Sequence, residues 1–407
     1  MPSVPDRIDL PDLPAAAAVI EAIEAAGCQA RFAGGIVRDC LLGRPLGDVD
    51  LATTAEPDLI IQALEKADIR AIPTGVEHGT VTAVVEGAGA VEVTSLRRDV
   101  ETDGRHAVVK FGADWADDAR RRDFTLNALF AEADGTLHDF VGGVSDALAG
   151  RVRFVGDPDT RIREDYLRIL RFFRFQALLG RTEPQEELLR ILKQHAGRLA
   201  DLSSERLTKE LLGLLAAKDP APTWGSVVAC GVDDIVLGHG TDTAPLMRLV
   251  EHEQRLGMTP SALRRLSLLT DGSANRLTLS NAAQEALRSI VALRRDLASG
   301  DIPNESAGRS GHYRYGQDIY CDGLLTAWAV SPAWSDEEAE RAVQRAQSST
   351  VPLFPVTGQD VLNLGIAEGP AVGDMLRQLE TWWINGGLIA DRQACLEELR
   401  RYSTRIV

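Results

Sequence analysis

GGIVRDCLLGRPLGDVDLAT (Gly34–Thr53) is the stretch on which the reading of this chain turns. The preceding ARFA (Ala30–Ala33) reads as a short strand, two glycines end it, and IVRDCLLG restarts as a helix with Arg38 one turn in. Glycines let an anion approach the backbone, and a helix start offers free N–H donors and partial positive charge. Alone, a glycine pair at such a turn is usually only a turn. The following segment, DVDLAT (Asp48–Thr53), changes the balance. Read as a strand, its period of two sends Asp48 and Asp50 to one face and Val49 to the other. Two acids on one strand face repel unless a cation lies between them. A pair of Mg²⁺ ions is the natural occupant, because hard cations take oxygen ligands and can clamp attacking and leaving oxygens in phosphoryl transfer. Glu92, on the later strand-like run AVEVTSL (Ala90–Leu96), is placed to furnish a third ligand.

Two further motifs lie downstream. In RRRDFTLNAL (Arg120–Leu129), at what reads as a helix start, Arg121 and Arg122 suit a triphosphate and Asp123 could accept hydrogen bonds from ribose hydroxyls. An N-capping Asp123 among surface arginines explains the same residues equally well. In REDYLRILRFFRF (Arg163–Phe175), Asp165, Arg168, Arg171 and Arg174 recur every three residues on an expected helix. Taken alone, such a stripe is a salt-bridged exposed face of little energetic weight. The sharper reading is chemical. A carboxylate beside a guanidinium matches the pairing edge of cytosine and adenine, with Asp165 accepting from the exocyclic amino group and Arg168 donating to the ring nitrogen. Uracil and guanine put a carbonyl where the amino group would be, and are rejected.

Outward from these motifs, the 407 residues predict roughly two to four domains. With 44% hydrophobic residues and no apolar run near the length of a membrane span, the composition is that of a globular, cytoplasmic protein with no export leader. Five scattered cysteines lack zinc or disulfide spacing. The net charge of -16 counts against a nucleic-acid partner on average, yet arginines crowd into the motif region. The first third alternates helix-like and strand-like runs, and beyond about Gly150 the pattern is helical. The expected fold is α/β plus all-α. Its expected divisions are a head over 1–150, a helical neck over 151–240, and a helical body and tail over 241–407.

GGIVRD, DVDLAT, RRDFTLNAL and EDYLRILRFFRF, in this order, resemble the class II tRNA nucleotidyltransferase and bacterial poly(A) polymerase family over roughly residues 30–175. The resemblance implies a head of the DNA polymerase β-like nucleotidyltransferase fold. It implies Asp48 and Asp50 as catalytic metal ligands, and Gly34, Gly35 and Arg38 at the triphosphate. Arg121, Asp123 and Asn127 would meet phosphate and ribose. Asp165 and Arg168 would form the protein template, supported by Arg171 and Arg174. The implied substrates are ATP, CTP and tRNA, with two Mg²⁺ ions and no membrane association. IPTGVEHGTVTAVV (Ile72–Val85) and a complete Leu96–Asp123 segment resemble the CCA-adding branch; poly(A) synthesis, A-only addition and a non-catalytic RNA-binding role are the alternatives. PVTGQDVLNLGIAEGPAVGDMLRQLETWWINGG, near the C-terminus, resembles the tail of bacterial members, with Thr357 capping, Gly365 stopping and Pro370 restarting a helix. Core packing is the better reading of Trp382 and Trp383.

Overall fold

The computed structural model describes residues 5–103 and 106–403, with the side chains of 98–103 and 106–110 left aside. It divides into two compact units, Met1–His239 and Gly240–Val407.

The first unit is built on a seven-stranded mixed sheet in the order β3-β4-β5-β2-β1-β8-β9. The strands are β1 Ala30–Ala33, β2 Asp50–Thr53, β3 Arg70–Gly75, β4 Thr80–Val85, β5 Gly89–Ser95, β8 Leu129–Ala131 and β9 Leu137–Asp139. A separate antiparallel ribbon pairs β6 Arg97–Asp103 with β7 His106–Phe111. β2 and β5 run parallel, with Asp50 beside Glu92, and the other pairings are antiparallel. Alternation decides the two faces. Phe32, Leu51, Val81 and Val93 point to a core that also takes in residues of α1 (Pro14–Ala25), α2 (Gly35–Leu41) and α3 (Pro57–Lys66). Ala33, Ala52 and Phe130 point the other way, under Ala119 of α4 (Trp115–Arg121).

Six helices, α5 (Gly143–Ala149), α6 (Pro158–Glu164), α7 (Arg168–Leu179), α8 (Glu186–His195), α9 (Ser204–Leu215) and α10 (Ala221–Ala229), precede a short α11 (Val232–Leu237). Aromatic packing fixes α7 on the sheet domain. Phe124 lies 4.7 Å from Phe154 and 5.5 Å from Phe175, and Phe154 stacks on Phe172 at 6.0 Å. Each fully buried phenylalanine contributes about 2–3 kcal/mol from area alone, so the nucleus that carries the arginines of α7 is held firmly.

Three local expectations need correction. Asp48 and Val49 precede β2, although the Val49 carbonyl still accepts from the Glu92 amide at 3.2 Å. The RRRDFTLNAL motif does not open a helix: α4 ends at Arg121, and Thr125–Asn127 is a single 3₁₀ turn. The stripe from Asp165 to Arg174 is not one helix either. α6 stops at Glu164, Asp165 is extended at φ -154°, and α7 begins at Arg168. The Asp165 carboxylate accepts from the Leu167 amide at 3.1 Å, a local alternative to helical bonding that short acids favour.

The only regular elements among the second unit's described residues are helices. Near its end Thr357 and Asp360 form a reciprocal capping box, Gly365 sits at φ +84°, and Pro370 opens Pro370–Asn385. Trp383 is buried there and donates from Nε1 to the Ala390 carbonyl at 2.8 Å, while Trp382 packs at the edge of the same core. No helix among the described residues is long and apolar enough to cross a membrane.

Candidate nucleotide and metal site

One cleft of about 520 Å³ in the first unit gathers Gly34, Gly35, Arg38, Asp48, Asp50, Glu92, Arg121, Asp123, Asn127, Arg171 and Arg174. It also includes Asp39 and Phe175, which the motif reading did not single out. Gly34 forms its turn at φ +70°, a conformation that strains any side chain. A Cβ there would lie 3.1 Å from Arg122 Nη1 and 3.3 Å from the Asn127 carbonyl. The glycine therefore does two things, reversing the chain and leaving room for a guanidinium against the backbone.

The acids sit at the other side of this turn. Burial pushes the Asp50 carboxyl up to about 6, the Glu92 and Asp48 charges push the same way, and Arg122 opposes them. That mutual repulsion is what a bound divalent cation would relieve, so Asp48, Asp50 and Glu92 fit a hard-metal site in donor chemistry. No three such side chains are already closed up as a metal cage among the described residues.

The cationic wall is held by acids set behind it. The Asp118 side chain, almost wholly buried, takes Arg121 Nε at 2.8 Å and Arg122 Nε at 3.0 Å. Burial would raise this carboxyl, but the two guanidiniums win and hold it below its usual range. Arg38 donates to both Asp39 oxygens, at 3.0 and 2.8 Å, and to Asn127 Oδ1 at 2.5 Å. Burial likewise works to raise Asp123, yet Arg171 and the amides of Phe124 and Asn127 depress it. Its Oδ2 accepts from Arg171 Nε at 2.8 Å and Nη2 at 2.5 Å, and its Oδ1 from the Phe124 amide at 2.8 Å and Asn127 Nδ2 at 3.3 Å. All four acceptor directions are thus engaged. A ribose hydroxyl would have to displace one of these partners. Glu210, on α9 and 3% exposed, bridges Arg171 and Arg174 at 3.5 and 2.9 Å. The Phe175 ring lies 5.1–5.5 Å from the guanidinium carbons of Arg38, Arg171 and Arg174. Sequence could not point to Glu210, because a lone acid on an amphipathic helix carries no motif.

Asp165 and Arg168 stand apart from the cleft lining. Asp165 pairs with Arg206 at 2.7 Å, and Arg168 donates to the Arg161 carbonyl at 2.7 Å and to Glu164. Asp165 remains close enough to raise the pKa of Arg171. These contacts engage only Nη1 of Arg168 and one bond on each Asp165 oxygen. Asp139 is structural: its carboxylate accepts from four successive amides, Val141 to Val144, at 2.9–3.1 Å.

Residues 30–153 match the family model of the poly A polymerase head domain. The chain is 34% identical over 365 residues to the mitochondrial CCA tRNA nucleotidyltransferase 1 of Danio rerio, covering 87% of this chain and 83% of that protein. It is 31% identical over 387 residues to a CCA-adding enzyme of Levilactobacillus brevis, covering 92% of this chain and 94% of the relative. Among solved structures, the Bacillus stearothermophilus CCA-adding enzyme in complex with CTP superposes with a TM-score of 0.76 at 27% identity, covering 98% of this chain and all (100%) of that one.

Proposed function

The chain belongs to the CCA-adding tRNA nucleotidyltransferase family, and on that premise we propose that it adds C, C and A to the 3′ end of tRNA from CTP and ATP, releasing pyrophosphate. The observation that carries the reading is the single cleft in which Asp48, Asp50 and Glu92 face the arginines of α2, α4 and α7. Acids alone could be a cation store, and arginines alone an anion site. Together they suit a triphosphate with its metal counter-ions.

Asp48 and Asp50, with Glu92 beside them, are the residues that would hold two Mg²⁺ ions. Bound there, the ions supply Lewis-acid activation of the RNA 3′ hydroxyl and charge neutralisation at the α-phosphate and leaving pyrophosphate. The chain's own contribution is positioning. The Gly34 turn and the start of α2 offer backbone N–H groups to phosphate oxygens. Arg38, Arg121 and Arg122 neutralise the triphosphate, and their orientation is set beforehand by Asp39, Asn127 and Asp118. Pre-set donors need not reorganise as charge shifts toward the leaving group. Arg171 and Arg174, held by Asp123 and Glu210, are assigned to the bound nucleotide. Asp165 and Arg168 are assigned to base selection. We assign metal and triphosphate chemistry to 1–150, base selection and RNA contacts to 151–240, and further tRNA binding to 241–407.

The test offers tRNA ending at the discriminator base, C, CC or CCA to each triphosphate singly and together, with Mg²⁺. CTP alone should add two residues, ATP should add one to the CC end, and the CCA end should not grow. Unlimited A addition with CTP unused would establish poly(A) synthesis instead. ATP incorporation confined to the CC end, with CTP unused, would indicate an A-only enzyme.

A further inference from the structure

The sheet row that bears the acids continues beyond them. Glu92 lies beside Asp50, Ala33 beside Phe130, and Phe130 opposite His138, so one face of β5, β2, β1, β8 and β9 runs from the acids to the edge of the sheet. Phe140 follows β9 at that edge. It is 41% exposed, an unusual place for a phenylalanine, and its ring meets buried Phe130 edge-on at 6.2 Å. Phe130 in turn carries the Arg122 guanidinium at 4.8 Å, and Arg122 lines the same cleft as Asp50. At about 4.8 Å per strand, β9 is roughly 14 Å from β2, the reach of a few nucleotides.

Charge around Phe140 is arranged with its sign outward. Arg151 and Arg153 are 56% and 50% exposed, whereas Asp146, the carboxylate both pair with at 3.1 and 2.8 Å, is 1% exposed. Two guanidiniums therefore face solvent over one hidden countercharge. Arg153 also donates to the Val141 carbonyl at 3.1 Å, tying the loop of Phe140 to the arginine pair. That loop has little freedom. Asp139 holds its four following amides, and Gly142 turns at φ +81° where a Cβ would come 3.2 Å from Arg153 Nη2. Asp139, the acid next to Phe140 in the chain, has both carboxylate oxygens engaged by those amides.

We propose that Phe140, flanked by Arg153 and Arg151, is the platform for the single-stranded 3′ end of the RNA acceptor. A base near that end stacks on the Phe140 ring, and its phosphates meet the two guanidiniums. A π-face suits an acceptor whose end changes identity with each addition, because every base has one and no hydrogen-bond code is read. The inference rests on the proposed tRNA-extending activity.

The measurement is steady-state kinetics of the full-length protein on tRNA lacking its terminal A. Wild-type protein that extends no RNA sinks the functional reading and the platform with it. With wild-type activity in hand, Phe140→Ala should raise KM for the RNA about 5- to 100-fold, leaving KM for ATP and the rate at saturating RNA unchanged. Phe140→Trp should restore it. Phe140→Leu, which keeps apolar packing on Phe130 and so preserves the fold, should resemble Phe140→Ala. An unchanged RNA KM in the Leu variant, or a defect that Trp does not repair, overturns the platform.

Discussion

Two arginine clusters in this protein look alike in sequence and differ in what surrounds them. In the cleft, Arg121 and Arg122 are fixed by Asp118, and Arg171 by Asp123 and Glu210, but their guanidiniums still line an open cavity beside the acid group. In the second unit, Arg264 and Arg265 share Glu253, at 2.7 Å each, and Arg264 also takes Asp322 at 2.6 Å. Those arginines are 7% and 1% exposed and Glu253 is 2%. One cluster presents charge to a ligand and the other consumes it inside a helical core. The lesson is that an arginine pair becomes a binding element only where its carboxylate partner lies behind it and open space in front.

The comparison can be broken in four ways. The largest effect should come from Asp50→Asn, which is expected to lower nucleotide incorporation at least a thousandfold, about 4 kcal/mol of barrier, while thermal stability at neutral pH holds or rises. A variant that turns over normally would remove Asp50 from the chemistry. Next, Arg265→Met leaves Glu253 short of a buried partner and should cost about 3 kcal/mol of stability by denaturant titration, with activity per folded molecule retained. If instead activity falls while stability holds, the second cluster is not structural. Glu210→Gln lies between the two. It should raise KM for CTP and ATP about tenfold, roughly 1.4 kcal/mol, as Arg171 and Arg174 lose their common anchor, and an effect on stability alone would place Glu210 with the buried cluster.

The smallest effect concerns pH. His252 stacks on Trp328 at 3.6 Å, its Nε2 is buried without a partner, and burial lowers its pKa to about 4, with Asp336 opposing and Arg255 and Arg248 assisting. A folded pKa below the unfolded value of 6.5 means that the unfolded chain binds the extra proton. Stability attached to this group is therefore complete above about pH 6.5 and is lost as pH falls toward 4. Thermal melts between pH 7 and about pH 5.5 should show a loss of about 1 kcal/mol from this residue, and His252→Phe should flatten that part of the slope. An unaltered slope would show that the imidazole is already protonated or solvated.

The residues that converge in the cleft were largely legible because each motif is local. Gly34 and Gly35 announce a turn, and Asp50 belongs to the opposite strand face from Leu51 by period alone. Less was legible where the backbone had a choice. Asp165 ends up between two helices because its carboxylate bonds a nearby amide, an option that three-residue spacing does not exclude. Glu210 and Phe140 carry no motif, and only packing reveals that one anchors two arginines and the other stands exposed at the sheet edge.

From sequence alone came the order of motifs, the helix-rich second half, and the pairing of small, acidic and basic residues needed for triphosphate chemistry. These depend on backbone preferences and side-chain periodicity over a few residues. Tertiary structure alone decided that Asp50 abuts Glu92 in a parallel register, that Arg171 from 48 positions away takes one oxygen of Asp123, and that Asp165 and Arg168 are held by Arg206 and Glu164. Such choices are made by competition among distant partners for the same few hydrogen-bond and charge positions, and the winner depends on which groups the fold buries together.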